Sequence, residues 1–392
     1  MRPVGFAAGL FAIFSSVAVA DRSLAVVGSI EAGAEYDSNP GHVEQITGDE
    51  TVKGAPLLRL QGRIGVAWVP RLNHVLSFRA GGAAKQFATK PGRQENAFAL
   101  DTMAGYQRGI TKDTDLSLVA RYQGVFGDAL LGRGGGNQRV FSLVTLAPTW
   151  DHYLSDSSQI LVRVTGSAFF YPPDRDQDFF GVGGTLRFTK TIRFDDQQTG
   201  LDLTPAISLK SMELIGAYRI SVNRYRGNSL TDQCPPDALE PACILETEDH
   251  RRDVRHTFTT ELSYSGSRIY GLQYQLQFTD SNSFGYSSLR HRLEASISTE
   301  LPGSLLATLR GVLIYTAFLD PLLLTRDVQS QDFVAIDDEN RNAMILHLAR
   351  DIGEAWTIDA RYAIYSNEFA TDHVSFRRQI VFVGAMYRFS NR

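Results

Sequence analysis

The sequence predicts an all-β chain that closes as a transmembrane antiparallel up-and-down β-barrel of about sixteen strands, and three observations carry the prediction. From Leu24 to Phe389, runs of roughly ten or more residues alternate apolar with polar or small side chains, the period of a strand whose two faces meet different surroundings. The connections between these runs are alternately long and short. Composition is the third observation: 34 Gly, 15 Tyr and 23 Phe stand beside 5 Met and 2 Cys. A mean hydropathy of −0.15 does not oppose a membrane location, because alternation dilutes the apolar face with the polar one. No run after the first twenty residues is long and apolar enough for a spanning helix.

Residues 1–20 read as a signal peptide. Arg2 is the basic start, Val4 to Val19 is mostly apolar or small, and Ala18-Val19-Ala20 is a small-residue cleavage site before Asp21. Residues 21–392 are then one exported barrel. The formal net charge is −4, or −5 once Arg2 leaves, which gives no hint of nucleic-acid binding.

The first strand sets Val26, Gly28, Ile30, Ala32, Ala34 and Tyr36 against Val27, Ser29, Glu31, Gly33 and Glu35, and Asp37-Ser38-Asn39-Pro40-Gly41 ends it. After a long polar connection, Leu58, Leu60, Ile64, Val66 and Trp68 oppose Arg59, Gln61 and Arg63. A short turn near Pro70 leads into His74 to Phe87. Asn96 to Arg108 and Leu116 to Phe126 follow, then a Gly-rich loop at 127–138 that lacks the Gly-Lys-Ser/Thr ending of a phosphate loop. Arg139 to Trp150, Ser157 to Tyr171 and a strand around Phe180 to Phe188 come next. Residues 191–211 are ambiguous because Pro205 interrupts an apolar pattern, so fourteen or eighteen strands stay open.

Leu214 to Tyr225 precedes a large loop, 226–253. Val254 to Tyr264 and Arg268 to Thr279 join by a Ser-Gly-Ser turn, and Tyr270, Leu272, Tyr274, Leu276 and Phe278 alternate with Gly271 and three glutamines. Leu289 to Leu301 and Leu305 to Phe318 flank Pro302-Gly303-Ser304. A loop at 319–339 leads to Asn340 to Asp351, and Trp356 to Phe389 forms a closing hairpin. Starting outward at Leu24, the long connections near 37–55, 88–95, 127–138, 226–253, 280–287 and 319–339 fall on one side. The short turns near 70, 111, 154, 266, 303 and 353 fall on the other, as in an even-stranded outer-membrane barrel.

If the apolar face meets lipid, the opposite face lines a lumen. Arg59, Arg63, Arg79, Arg121, Arg163, Arg187, Arg219, Arg290, Arg292, Arg310 and Arg361 all fall on it, with Asp101, Glu261, Glu294 and Asp359. Two readings stay open: a lumen laced with ion pairs, or a path that attracts anions. Cys234 and Cys243, with prolines around them, suit one disulfide in an exported loop, two free thiols being the alternative. Two cysteines without a suitably spaced His make no closed zinc site, and no H-E-x-x-H or G-x-S-x-G pattern occurs. No cofactor or catalytic residue is expected, although a His, Ser and Asp of an outer-membrane hydrolase could meet across the wall.

Glu35-Tyr36-Asp37-Ser38-Asn39-Pro40 resembles the end of the first strand in outer-membrane β-barrel porins of the porin-2-like group. Asp338 to Arg341, Leu348-Ala349-Arg350, Trp356, Arg361-Tyr362 and Phe376-Arg377-Arg378 look like their closing strands. The chain is also similar to the barrel of surface lipoprotein assembly modifiers, which carry a helical repeat domain ahead of the barrel; here few residues separate Asp21 from the first strand. The resemblance implies a barrel; the signal peptide, the alternating faces, the loop parity and the arginine-bearing lumen point to a channel for passive passage of small, anion-leaning solutes. Secretion of exopolysaccharide or surface lipoproteins is the alternative. Expected partners are outer-membrane lipid, lipopolysaccharide and the barrel assembly machinery.

Overall fold

The computed structural model describes residues 24–39, 54–89, 96–127, 140–172, 174–194, 209–233, 243–319, 342–366, 369–370 and 377–391. The expected leader at 1–20, most of the loops near 37–55, 127–138 and 319–339, and Cys234 lie outside these residues.

Sixteen strands follow one another around the sheet: β1 (Leu24–Asp37), β2 (Ala55–Arg71), β3 (His74–Phe87), β4 (Ala97–Thr111), β5 (Thr114–Gly127), β6 (Phe141–Ser155), β7 (Ser158–Phe170) and β8 (Phe179–Arg193) form the first half. The second half is β9 (Leu209–Asp232), β10 (Ile244–Gly266), β11 (Arg268–Ser281), β12 (Ser288–Leu301), β13 (Leu305–Phe318), β14 (Asn342–Ile352), β15 (Trp356–Ser366) and β16 (Arg377–Ser390). Each pairs antiparallel with its neighbour in sequence. β1 also pairs with β16, Gly33 facing Gly384 across the closing seam, so the sheet has no free edge. A two-residue bridge, Phe369–Ala370, runs parallel to Tyr315 and Thr316 of β13.

Closure is what a bilayer demands, since every backbone N–H and C=O in hydrocarbon needs a partner within the protein. The side chains agree with it. Leu58, Phe180 and Val182 are about two-thirds exposed, and Ile30, Leu60, Val164, Leu186, Leu313, Ile358 and Val383 are exposed on the same outer face. So continuous an apolar surface is a lipid-facing belt. Tight turns return the chain at one end, with Gly303, Ser304 and Gly353 at positive φ in two of them. Glycine reaches that conformation freely; Ser304 is the residue that bears strain there.

The structure departs from the sequence reading in three places. First, the expected loop at 226–253 is largely strand: β9 runs on to Asp232 and β10 begins at Ile244, so this hairpin extends past the belt. Its outer part carries Arg224, Arg226, Glu246 and Glu248. Above the bilayer neither face needs to be apolar, so the alternation that marks a strand disappears. Second, the ambiguous 191–211 segment divides into the end of β8 and the start of β9, which leaves the count at the expected sixteen, with 195–208 outside the described residues. Third, β6 contains Pro148. Between the pairs Leu146–Gly166 and Thr149–Arg163 the register with β7 is unchanged, but Ala147 and Pro148 have no partners in that ladder. Proline has no N–H to donate, so it opens a local gap on the β7 side while its pairing with Leu118 of β5 persists.

The inner face is not uniformly polar. Near the mouth where the long connections lie, Phe141, Phe169, Phe179 and Tyr225 form one buried cluster, Ala55, Leu57 and Phe87 another, and Ala363, Tyr365 and Ile380 a third.

Candidate functional site

The charged residues of the inner wall fall into two groups with different surroundings. The first gathers at the closing seam, where β14, β15, β16, β1, β2 and β3 lie side by side. Phe382 of β16 points inward and is almost completely buried. Its ring lies over Gly33 and Gly384, and a Cβ on either glycine would collide with it. The Arg59 and Arg361 guanidinium carbons sit 5.4 and 4.8 Å from the ring centroid. Flat cations over an aromatic face gain from its quadrupole.

Around this ring the charges are paired. Arg361 donates from Nη2 to Glu31 Oε2 at 2.8 Å and to Asp359 Oδ2 at 2.6 Å. Arg59 Nη1 and Lys85 Nζ each lie 3.4 Å from a different oxygen of Glu35. His347 Nε2 stands 3.0 Å from Asp359 Oδ2. Closer to the mouth, Arg378 donates from Nε to both oxygens of Asp37 at 2.9 Å, and its Nη2 forms a further short bond to Oδ2; both side chains are buried. Buried carboxylates and guanidinium groups persist only with this kind of mutual compensation.

Two smaller pairings occur elsewhere on the wall. Arg121 of β5 makes a two-bonded contact with Asp101 of β4 at 2.8 and 2.9 Å. Arg310 of β13 makes another with Glu294 at 2.8 and 3.0 Å, and Arg292 reaches the same carboxylate at 3.1 Å.

The second group is different. Among the described residues, Arg63, Arg79, Arg163, Arg187 and Arg219 have no carboxylate in ion-pair contact. Three of them share the β7–β9 wall. Arg163 pairs across to Thr185, and Thr185 to Arg219, while Arg187 is the next inward residue of β8. Arg163 Nε donates to Thr149 Oγ1 at 3.0 Å, and Arg187 Nε is buried with no hydrogen-bond partner. The remaining predicted arginine, Arg290, is buried on β12 and has contacts of its own.

Above the belt, whose last exposed apolar residue on β9 is Val222, a clamp braces the protruding hairpin. Arg251 lies between two rings, 4.2 Å from the Tyr225 centroid and 3.3 Å from that of Tyr286. It also donates to Asp253 at 3.0 and 2.7 Å. Burial pushes the Tyr225 phenol up to about 12, and the Asp253 charge adds to the effect. Cys243, at the root of β10, is disulfide-bonded; Cys234, its expected partner, is outside the described residues.

The predicted arginines and Glu294 share the ladder parity opposite the exposed apolar residues, but they do not form one array. The structure adds Glu31, Glu35, Asp37, Lys85, Phe382 and Arg378, which composition and spacing did not single out. The strand parity of Glu31 and Glu35 was a usable signal. The role of Phe382 was not legible, because an aromatic residue at an inward position breaks the alternation.

No family model and no curated protein matches the chain. Among solved structures, OmpF of Salmonella typhi, in a complex with daunomycin, aligns over 93% of this chain and 97% of its own at 11% identity and a TM-score of 0.48. An anion-selective porin from Comamonas acidovorans aligns over 94% and 100% at 10% identity and 0.44, and a bacterial polysaccharide outer membrane secretin over 93% and 98% at 9% identity and 0.43. Likeness at this level is one of barrel to barrel.

Proposed function

We infer that the protein is an outer-membrane channel for passive passage of small solutes, with a preference for anions. Export directed by residues 1–20 delivers it, and the apolar belt seats it in lipid. The observation that carries the reading is the uneven charge of the inner wall. At the seam, at Arg121 and at Arg310 the carboxylates of that wall are engaged with cations; elsewhere five arginines, and the carboxylates Asp115, Asp151, Glu213 and Glu261, have no such contact among the described residues, and three of the five arginines sit together on β7–β9. A low-dielectric wall that bears uncompensated cations draws anions from bulk water and raises their local concentration.

Planar-bilayer recording of the refolded barrel tests this. A reversal potential displaced toward the chloride equilibrium value in a KCl gradient is expected. A barrel that proves folded by its faster gel migration before boiling, yet carries no current, removes the channel reading. Current with a cation preference removes the anion reading alone.

A further inference from the structure

The seam group explains its own charges, since each cation there has a carboxylate. The group on the β7–β9 wall does not. Thr149, Arg163, Thr185, Arg219 and Thr257 form one continuous inward row across β6 to β10. Arg187 stands one inward position from Thr185, so the three arginines mark a triangle on three adjacent strands. Arg187 and Arg219 both repel the Arg163 cation, and Asp151 acts on Arg163 and Arg187 without contact. Glu261 feels Arg187 in the same distant way.

Three like charges on a partly desolvated wall cost free energy that a salt bridge would offset, and none is formed among the described residues. The unused Nε of Arg187 adds a buried donor without an acceptor. Toward the mouth the next inward residues of β8 are Gly181 and Gly183, and the small polar side chains of Ser167, Ser221 and Asn223 pack close over them, so the wall beside the arginines is polar. Planar guanidinium forks beside threonine hydroxyls match an acceptor with several oxygens at fixed angles. A halide, a single point of charge, would use only part of that donor set.

We propose that Arg163, Arg187 and Arg219 form a binding subsite for a polyatomic oxyanion, of the phosphate or carboxylate class, on the β7–β9 wall of the lumen. The proposal deepens the channel reading above and rests on it for its biological purpose. As a binding site it stands on the triangle of unpaired arginines, the orphaned Nε and the threonine hydroxyls of the same inward row.

The test uses inorganic phosphate and the full-length barrel refolded in lipid nanodiscs. Phosphorus NMR line broadening measures binding whether or not the channel conducts, and bilayer current in chloride with added phosphate measures block. Saturable binding is expected, with chloride at equal ionic strength a poor competitor. Arg187→Gln and Arg219→Gln should each weaken binding about tenfold, as the loss of one charge-assisted contact does. Arg163→Lys keeps the charge but loses the fork and should weaken it less. Arg79→Gln, another unpaired arginine on a different wall, should leave it within about twofold. Each variant is first checked for folding by gel migration, and two glutamine sites keep the test alive if one fails to fold. Absence of saturable binding in the wild type overturns the subsite, as does an Arg79→Gln loss equal to that of Arg187→Gln. Binding without current would sink the channel reading and leave the subsite standing; current without binding would do the reverse.

Discussion

Asp37→Asn should unlock the seam. Asp37 ends β1, Arg378 begins β16, and the two side chains meet in a buried, multiply bonded pair that joins strands 341 residues apart in sequence. Asparagine retains an acceptor oxygen of nearly the same shape, so packing changes little, but it leaves the Arg378 charge buried without its counter-charge. Removing one partner of such a pair costs about 3 to 5 kcal/mol. At 1.4 kcal/mol per tenfold, that lowers the folded-to-unfolded ratio by about a hundred- to a few thousand-fold. The assay is urea unfolding in lipid vesicles, with the folded fraction read from the mobility of unboiled samples. Asp37→Asn should unfold at lower urea with an unchanged slope. The double variant Asp37→Asn/Arg378→Met, which removes the stranded charge as well, should recover most of the loss, because replacing a whole buried pair with apolar groups is often close to neutral. If the single variant keeps the wild-type midpoint, or the double variant is no better than the single one, the pair is not a stabilising lock.

Gly384→Val should displace the Phe382 ring and with it the Arg59 and Arg361 contacts, at a cost of about 1 to 3 kcal/mol, measured by the same unfolding assay. Leu186→Arg and Thr189→Arg test face assignment on one strand: the first puts charge in lipid and should cost about 2 to 4 kcal/mol if near midplane, the second faces inward and should cost under about 1 kcal/mol. Tyr225 should contribute a component near 12 to an alkaline absorbance titration, and that component should be missing in Tyr225→Phe. Because its folded value lies above the ordinary 10.0, the stability it contributes is full below pH 10 and is lost as pH rises toward 12, so the wild type should lose more stability over that window than Tyr225→Phe.

Much of the architecture was legible because lipid enforces a simple rule. Every strand must show apolar side chains on one face, so Tyr270 to Phe278 or Trp356 to Ile364 declare both strand and orientation in a few residues. The rule lapses where lipid ends. That is why the outer halves of β9 and β10 read as loop, and why Pro148, compatible with the apolar pattern on its strand, passed unnoticed although it interrupts a ladder. The candidate site was legible only as a set. Parity placed Arg121 and Arg219 on the same face, yet Arg121 meets Asp101 and Arg219 meets no carboxylate among the described residues.

Period-two alternation and loop parity, both local properties of the chain, determined by themselves the class of fold and the even strand number. The tertiary structure alone decided which charges compensate one another. That depends on register and on closure, which bring Arg378 to Asp37 and Arg361 to Glu31 from opposite ends of the chain while leaving Arg163, Arg187 and Arg219 with only one another and distant carboxylates. Coulomb interactions follow distance in space, and separation along the sequence carries no information about it until the barrel closes.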